Sequence, residues 1–402
     1  MPMTDASFSW KKIAIPAFGP SLLDGLSKGA ILPVVALSAR DLGASVAMAG
    51  VVAALIGGGS LLSNIPAAML TARYGERKAI AGAAVVSMAG LLLAVLATQV
   101  WMLALGMLIV GVASSVFMLA RQVYLVEAVP LSLRARALST LGGMTRVGVF
   151  VGPFAGAGLI HLMGLAGAYW IAIAAMAASA WVVLRWPDLS SGKESAKDVP
   201  RPQMRKVARE NVRTFMTLGV GVLLVGVLRS SRQVVVPLWA EHLGIDAATT
   251  SLIYGLVAAI DMAVFYPAGK VMDQRGRIWV AVPCTLLMGL SLIGIPFTSS
   301  MGAFVLVSLV LGFGNGIGSG IVMTLGADSA PAHQRTQFLG IWRLMSDVGT
   351  SGGPLLLSAV SALASLAAGA MVIGALGLVA AGVFWRWVPR GRRAGAAAGK
   401  PS

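Results

Sequence analysis

Cysteine is almost absent from this 402-residue chain; there is one, Cys284. A disulfide within the chain is therefore excluded, as is a metal site built on cysteine. Charge is also scarce: Asp, Glu, Lys and Arg make up 11% of the residues, against 57% hydrophobic. A soluble protein of this size carries about a quarter charged residues. The three histidines, His161, His242 and His333, fall at the ends of apolar blocks or in loops, which leaves carboxylates as the proton-binding groups within those blocks. No Gly-Lys-Ser/Thr phosphate loop, metal-ligand cluster or nucleophile–His–acid set is present, so neither an enzyme nor a cofactor or metal site is expected. The N-terminal residues lack the short apolar core and small-residue cleavage site of a signal peptide.

What the chain has is apolar length. Its hydrophobic blocks reach the roughly 20 residues that cross a bilayer as a helix. They are too long for barrel strands and lack two-residue alternation, and a helix satisfies its own backbone hydrogen bonds in hydrocarbon. Twelve spans are predicted, at about 13–38, 46–71, 78–98, 101–127, 137–161, 165–186, 214–240, 247–271, 279–298, 301–327, 337–363 and 366–388. Six precede the longest polar stretch, Pro187 to Arg213, and six follow it. The expected organisation is an N-terminal six-helix bundle (1–186), a hydrophilic linker (187–213) ending in a short surface helix, a C-terminal six-helix bundle (214–388) and a polar tail (389–402). The predicted fold is thus all-α: twelve transmembrane helices in two pseudo-symmetric bundles.

The net charge of +16 would suggest nucleic acid in a soluble protein, but the basic residues lie in membrane-flanking loops and no basic folded domain carries them. Lys11, Lys12, Arg73, Arg77, Lys78, Arg134, Arg136, Arg185, Lys270, Arg275, Arg277 and Arg335 fall on one side with the linker and tail, and the other side carries only Arg40. The positive-inside rule then places both termini in the cytoplasm of a multi-pass protein of a bacterial inner membrane.

One register relates the two halves. Adding 201 carries Gly75 to Gly276, Glu127 to Asp328, Pro130 to Pro331 and Arg134 to Arg335. A duplicated membrane-embedded unit is how many secondary transporters are built.

Three patterns sit on this repeat. After span 2 stand Leu70, Ala72, Arg73, Gly75, Arg77 and Lys78; after span 8 stand Gly269, Asp273, Arg275, Gly276 and Arg277. Span 5 contains Gly148, Gly152, Pro153 and Gly156, followed by Ala157. Span 4 ends in Glu127, Pro130 and Arg134, mirrored by Asp328, Pro331 and Arg335 after span 10. Together these resemble the major facilitator superfamily over essentially the whole chain. The loops are similar to its G-x-L-a-D-r-x-G-r-r/k motif, in which the acid latches one conformation against a helix N-terminus of the other half. Here only Asp273 supplies that acid, since Ala72 replaces it in the first copy. Arg77, Lys78 and Arg275 read as topology signals alone. The span-5 run resembles the G-x-x-x-G-P-x-x-G-G signature of the superfamily's drug:proton antiporters, where Pro bends the helix and the glycines admit a close neighbour. The Arg that such antiporters carry inside span 4 is missing from Met107 to Gly111, so no family role passes to Arg121.

Charges inside the spans are three acids and six bases: Asp24 and Lys28 (span 1), Arg121 (span 4), Arg146 (span 5), Arg229 and Arg232 (span 7), Asp261 (span 8), and Arg343 and Asp347 (span 11). Each costs roughly 2.5–3.5 kcal/mol at a helix centre, so such residues are paired or functional. Asp24 with Lys28, and Arg343 with Asp347, share a helix face at i,i+4 and can pair locally. Arg146 and Asp261 both lie roughly 13 Å deep at 1.5 Å per residue. They are expected to form a salt bridge between the halves, because the superfamily packs span 5 on span 8. Any proton-coupling carboxylate is Asp24, Asp261 or Asp347, the first two ranked ahead. Gln233 and Tyr254, then Asn64 and Gln122, are polar candidates for a substrate cavity; helix packing is the alternative for each.

The expectation is proton-coupled efflux of a small amphipathic or anionic compound by alternating access. Its expected partners are that substrate, protons and lipid, with the chain a monomer that binds no nucleic acid. The rivals are proton-coupled uptake of a metabolite and, from another class, a non-transporting receptor or scaffold. Six buried cations argue against the scaffold.

Overall fold

A computed structural model describes residues 10–129, 133–185, 204–331 and 334–389. No strand occurs among them. Span 1 is Trp10–Ile31 and, after a turn at Pro33, Val35–Asp41. Spans 2 to 6 are Val46–Tyr74, Glu76–Val95, Val100–Ala128, Arg134–Met163 and Ala166–Arg185. Span 7 runs through Val212–His242, with a π-helical turn at Phe215–Gly219. Spans 8 and 9 are Ala247–Arg275 and Ile278–Phe297, spans 11 and 12 Arg335–Leu363 and Leu366–Trp387. Span 10 was expected to be continuous. It is two helices, Met301–Ile317 and Ile321–Ser329, because three small residues at Gly318, Ser319 and Gly320 give the backbone little reason to stay helical.

Eleven of these helices are long and apolar enough to cross a membrane. Span 11 has the length, 29 residues, but its polar residues, Arg343 and Asp347 among them, set it apart.

The repeat is visible in the helix ends. Spans 2 and 8 start and stop 201 residues apart. Ser45 caps the first by accepting from the Met48 amide, Asp246 the second by accepting from the Thr249 amide. The hydrogen bonds from Thr249 hold the Asp246 carboxyl below the usual carboxylate range. Both helices end on a glycine with positive φ, Gly75 at 80° and Gly276 at 100°, a conformation side chains disfavour.

Span 5 packs on span 1 at backbone contact. A Cβ on Gly148 would lie 2.1 Å from the Leu22 carbonyl oxygen, and one on Gly152 2.5 Å from that of Leu26. The small-residue signature thus serves helix approach inside the first half, with Pro153 inside an uninterrupted helix.

Spans 2 with 11 and 5 with 8 join the halves. Gly50 meets Ser358 and Gly57 meets Ser351, while Phe154 packs on Gly255. All of these lie toward the end remote from the linker. There Arg40 and Glu241, related by the same 201-residue register, pair at 3.1 Å across the interface. Toward the linker end a cavity of about 610 Å³ separates Ser139 of span 5 from Phe265, Tyr266, Lys270 and Asp273 of span 8 and Ile317 and Gly320 of span 10. The halves are closed at one end and parted at the other. A short helix, Met204–Glu210, lies where the linker was expected to end in one; Val207 is buried, and Gln334 donates to Glu210 at 2.6 Å.

Candidate substrate and proton site

Two charge clusters lie inside the helices. The first belongs to one half. Asp24 accepts from Lys28 one turn along span 1 at 2.9 Å and lies 3.6 Å from Arg121 of span 4. Asp24 and Arg121 are both buried, and the Phe117 ring covers the guanidinium at 5.7 Å. Placing Arg121 against Asp24 needs the relative rotation of spans 1 and 4, which no spacing along the chain reveals.

The second cluster is shared. Asp261 lies 3.8 Å from Arg146 across the interface and 3.6 Å from Arg232 of its own half. The inter-half pair expected from depth is therefore formed. Asn315 of span 10 donates to the same carboxylate. The Phe265 ring supports the Arg146 guanidinium at 4.3 Å, a cation–π arrangement. Arg229 makes no ion pair among the described residues. It donates at 2.7 Å to the carbonyl of Gly318 at the break in span 10, which also accepts from the Ile321 amide at 3.1 Å. The cluster borders a cavity of about 230 Å³ between spans 5, 7, 8 and 10, also lined by Thr145, Gln233 and Ser319.

A third pair, Arg343 with Asp347 at 3.8 Å, stays on span 11 and is partly exposed. Asn64 of span 2 reaches Asp347 from the other half and also accepts from Ser115 at 2.7 Å.

Of the four cavity candidates, Gln233 lines the small cavity. Tyr254 does not; it is buried in the packed core. Asn64 is engaged at the interface of spans 2 and 11, and Gln122 is half-buried on span 4, away from the cavity wall. Sequence reasoning missed Thr145 and Ser319 as lining, and the Arg40–Glu241 contact. The 201-residue register was the available signal for that contact, since it superposes these two positions.

The geometry can be set beside known proteins. A family model described as Major Facilitator Superfamily matches residues 20–334 and 218–401. The chain belongs to the major facilitator superfamily. It is 24% identical over 328 residues to the multidrug resistance protein MdtH of Klebsiella pneumoniae (strain 342), covering 79% of this chain and 80% of that one. It is 23% identical over 378 residues to the multidrug resistance protein MdtG of Citrobacter koseri, covering 90% and 91%. Among solved structures, a POT family transporter in complex with a thioalcohol-conjugated peptide superposes with a TM-score of 0.78 at 14% identity, over 92% of this chain and 95% of that one. The chain is a multi-pass transporter of this superfamily and not an enzyme.

In this major facilitator chain the two motif loops have diverged. Arg277 pairs with Asp328 at 2.7 Å, joining the loop after span 8 to the exit of span 10. Its neighbour in the other copy, Arg77, donates to the carbonyls of Val183 at 2.9 Å and of Leu184, so it caps the end of span 6 and is more than a topology signal. Arg73 is exposed over the Tyr74 ring. Asp273, the expected latch acid, faces the open cavity and makes no hydrogen bond or ion pair among the described residues. Arg335 is exposed; the side chains of Glu127 and Arg134 lie outside the described residues, as does Pro130.

Proposed function

We propose that this chain is a proton-coupled secondary transporter that exports a small amphipathic or anionic compound by alternating access. It works as a monomer in a bacterial cytoplasmic membrane. The basic linker end faces the cytoplasm by the positive-inside rule, which makes the present arrangement inward-facing. The observation that carries the coupling is the seat of Asp261, one carboxylate between Arg146 of one half and Arg232 of the other. A proton on Asp261 removes a tie between the halves and shifts the balance of the two conformations. Export is supported by the names of the relatives, both multidrug resistance proteins.

One observation favours a second reading, uptake by proton symport. Three arginines border the cavity against one carboxylate, a balance that suits an anion and a proton bound together. The deciding experiment measures accumulation of amphipathic acids in cells with and without the protein, at two external pH values. Lower accumulation with the protein, abolished by a protonophore, supports export. Higher accumulation overturns it and supports uptake.

A further inference from the structure

We propose that the small cavity between spans 5, 7, 8 and 10 holds the carboxylate head of an amphipathic acid, whose apolar body extends into the larger cavity at the linker end. The inference rests on the transport reading and names its substrate class.

Charge comes first. Arg146, Arg229 and Arg232 border this cavity with Asp261 as the single acid. Asp261 pairs with two of the three guanidiniums, and its single negative charge balances one of their three positive charges. The buried Nε atoms of Arg229 and Arg232 have no hydrogen-bond partner among the described residues, although a buried donor without one is costly.

Distance comes second. Asp261 lies 3.6 Å from Arg232 and 3.8 Å from Arg146. Charge-assisted hydrogen bonds run at about 2.7–2.9 Å, the range that Lys28–Asp24 at 2.9 Å and Arg277–Asp328 at 2.7 Å reach in this same chain. The guanidiniums stand around Asp261 without clamping it, which leaves donors for the oxygens of a ligand.

Size and surroundings come third. About 230 Å³ is below the roughly 300–1,000 Å³ of pockets for drug-sized molecules, so the cavity takes a head group. One to two helical turns toward the linker end, the cavity of about 610 Å³ offers Phe265, Tyr266, Met272 and Ile317 to an apolar body. Phe265 joins the two, since its ring also underlies Arg146.

The proton follows from the same geometry. Asp261 is faced by Arg146 from span 5, Arg229 and Arg232 from span 7, Cys284 from span 9, Asn315 from span 10 and Tyr254 of its own span. Ionised, it repels a bound carboxylate and competes for its arginines. Protonated, it leaves all three to the ligand. Acid and proton therefore strengthen each other's binding, by reciprocal linkage, which fits the symport reading above and not proton-for-substrate exchange.

The test uses the purified full-length chain in lipid nanodiscs and calorimetry with three probes of one shape: 4-phenylbutyrate, 4-phenylbutanamide and 4-phenylbutylamine. The acid is expected to bind about tenfold or more tighter than the amide, and the amine not at all, since one charge-assisted contact is worth about ten- to a hundredfold. Binding of the acid weakens as pH rises, measured where the probe itself stays ionised. Arg232→Gln and Arg229→Gln each lose about tenfold; Lys78→Gln loses nothing. Asp261→Asn loses the pH dependence of acid binding. Equal affinity for acid and amide, or preference for the amine, overturns the proposal on the wild-type protein alone, whatever the variants' folding. Binding of the acid without movement across proteoliposomes keeps the anion site and sinks the transport reading. Transport of the amine with no binding of the acid does the reverse.

Discussion

Asp24 and Asp261 each sit between two cations, yet they differ in who owns the partners. Lys28 and Arg121 belong to the same half as Asp24 and move with it. Arg146 lies across the interface from Asp261. A carboxylate whose counter-ions travel with it cannot report how the halves are placed. One whose counter-ions lie on both sides can. The two acids were equal candidates for the proton on sequence grounds; their surroundings differ, an ion cluster within one half for Asp24 and one shared between the halves for Asp261, and the coupling role is proposed for the second.

The comparison breaks most directly by neutralising each acid. Asp261→Asn is expected to abolish the pH dependence of transport, whereas Asp24→Asn retains it; proteoliposome flux at two internal pH values reads both. If Asp24→Asn loses pH dependence and Asp261→Asn keeps it, the roles are reversed. The next effect is on stability. Asp24→Asn leaves buried Arg121 without its counter-charge, and breaking a buried pair costs about 3–5 kcal/mol. Thermal unfolding in detergent should show a clear drop, and Asp261→Asn, in a more open site, a smaller one.

A third effect concerns the closed end. Arg40 and Glu241 form a partly exposed pair between the halves, worth about 0–1 kcal/mol. Arg40→Glu and Glu241→Arg should each raise thiol labelling of a cysteine placed at Leu238, which is buried in the cleft that this pair borders, and the double reversal should restore the wild-type level. The smallest effect sharpens the comparison of the two motif loops. Arg77→Gln removes hydrogen bonds to the end of span 6, worth about 1 kcal/mol, and should lower the melting temperature slightly. Arg277→Gln, which loses the exposed Asp328 instead, should lower it less.

The helices were legible because crossing a bilayer needs only apolar length, and the register of 201 residues carries over to the caps at Ser45, Gly75, Asp246 and Gly276. The depth of Arg146 and Asp261 was legible for the same reason: depth follows from counting residues along a helix. Rotation does not. Arg121 meets Asp24, and Tyr254 turns into the core while Ser319 lines the cavity, through facing directions that composition leaves open. The break in span 10 was hidden because Gly318, Ser319 and Gly320 read equally well as packing residues. Its use shows only in three dimensions, where the Gly318 carbonyl accepts from Arg229.

The coupling role of Asp261 is tested most directly by following the parted ends themselves. Spin labels on cysteines at Ser139 and Lys270, which face each other across the larger cavity, are introduced with Cys284→Ser, and their separation is measured by double electron–electron resonance between about pH 8 and about pH 5. In the otherwise wild-type chain, acidification should shift population away from the long distance of the inward-open form, and Asp261→Asn should give one distribution at every pH. The same pH response in both proteins would contradict the assignment of Asp261.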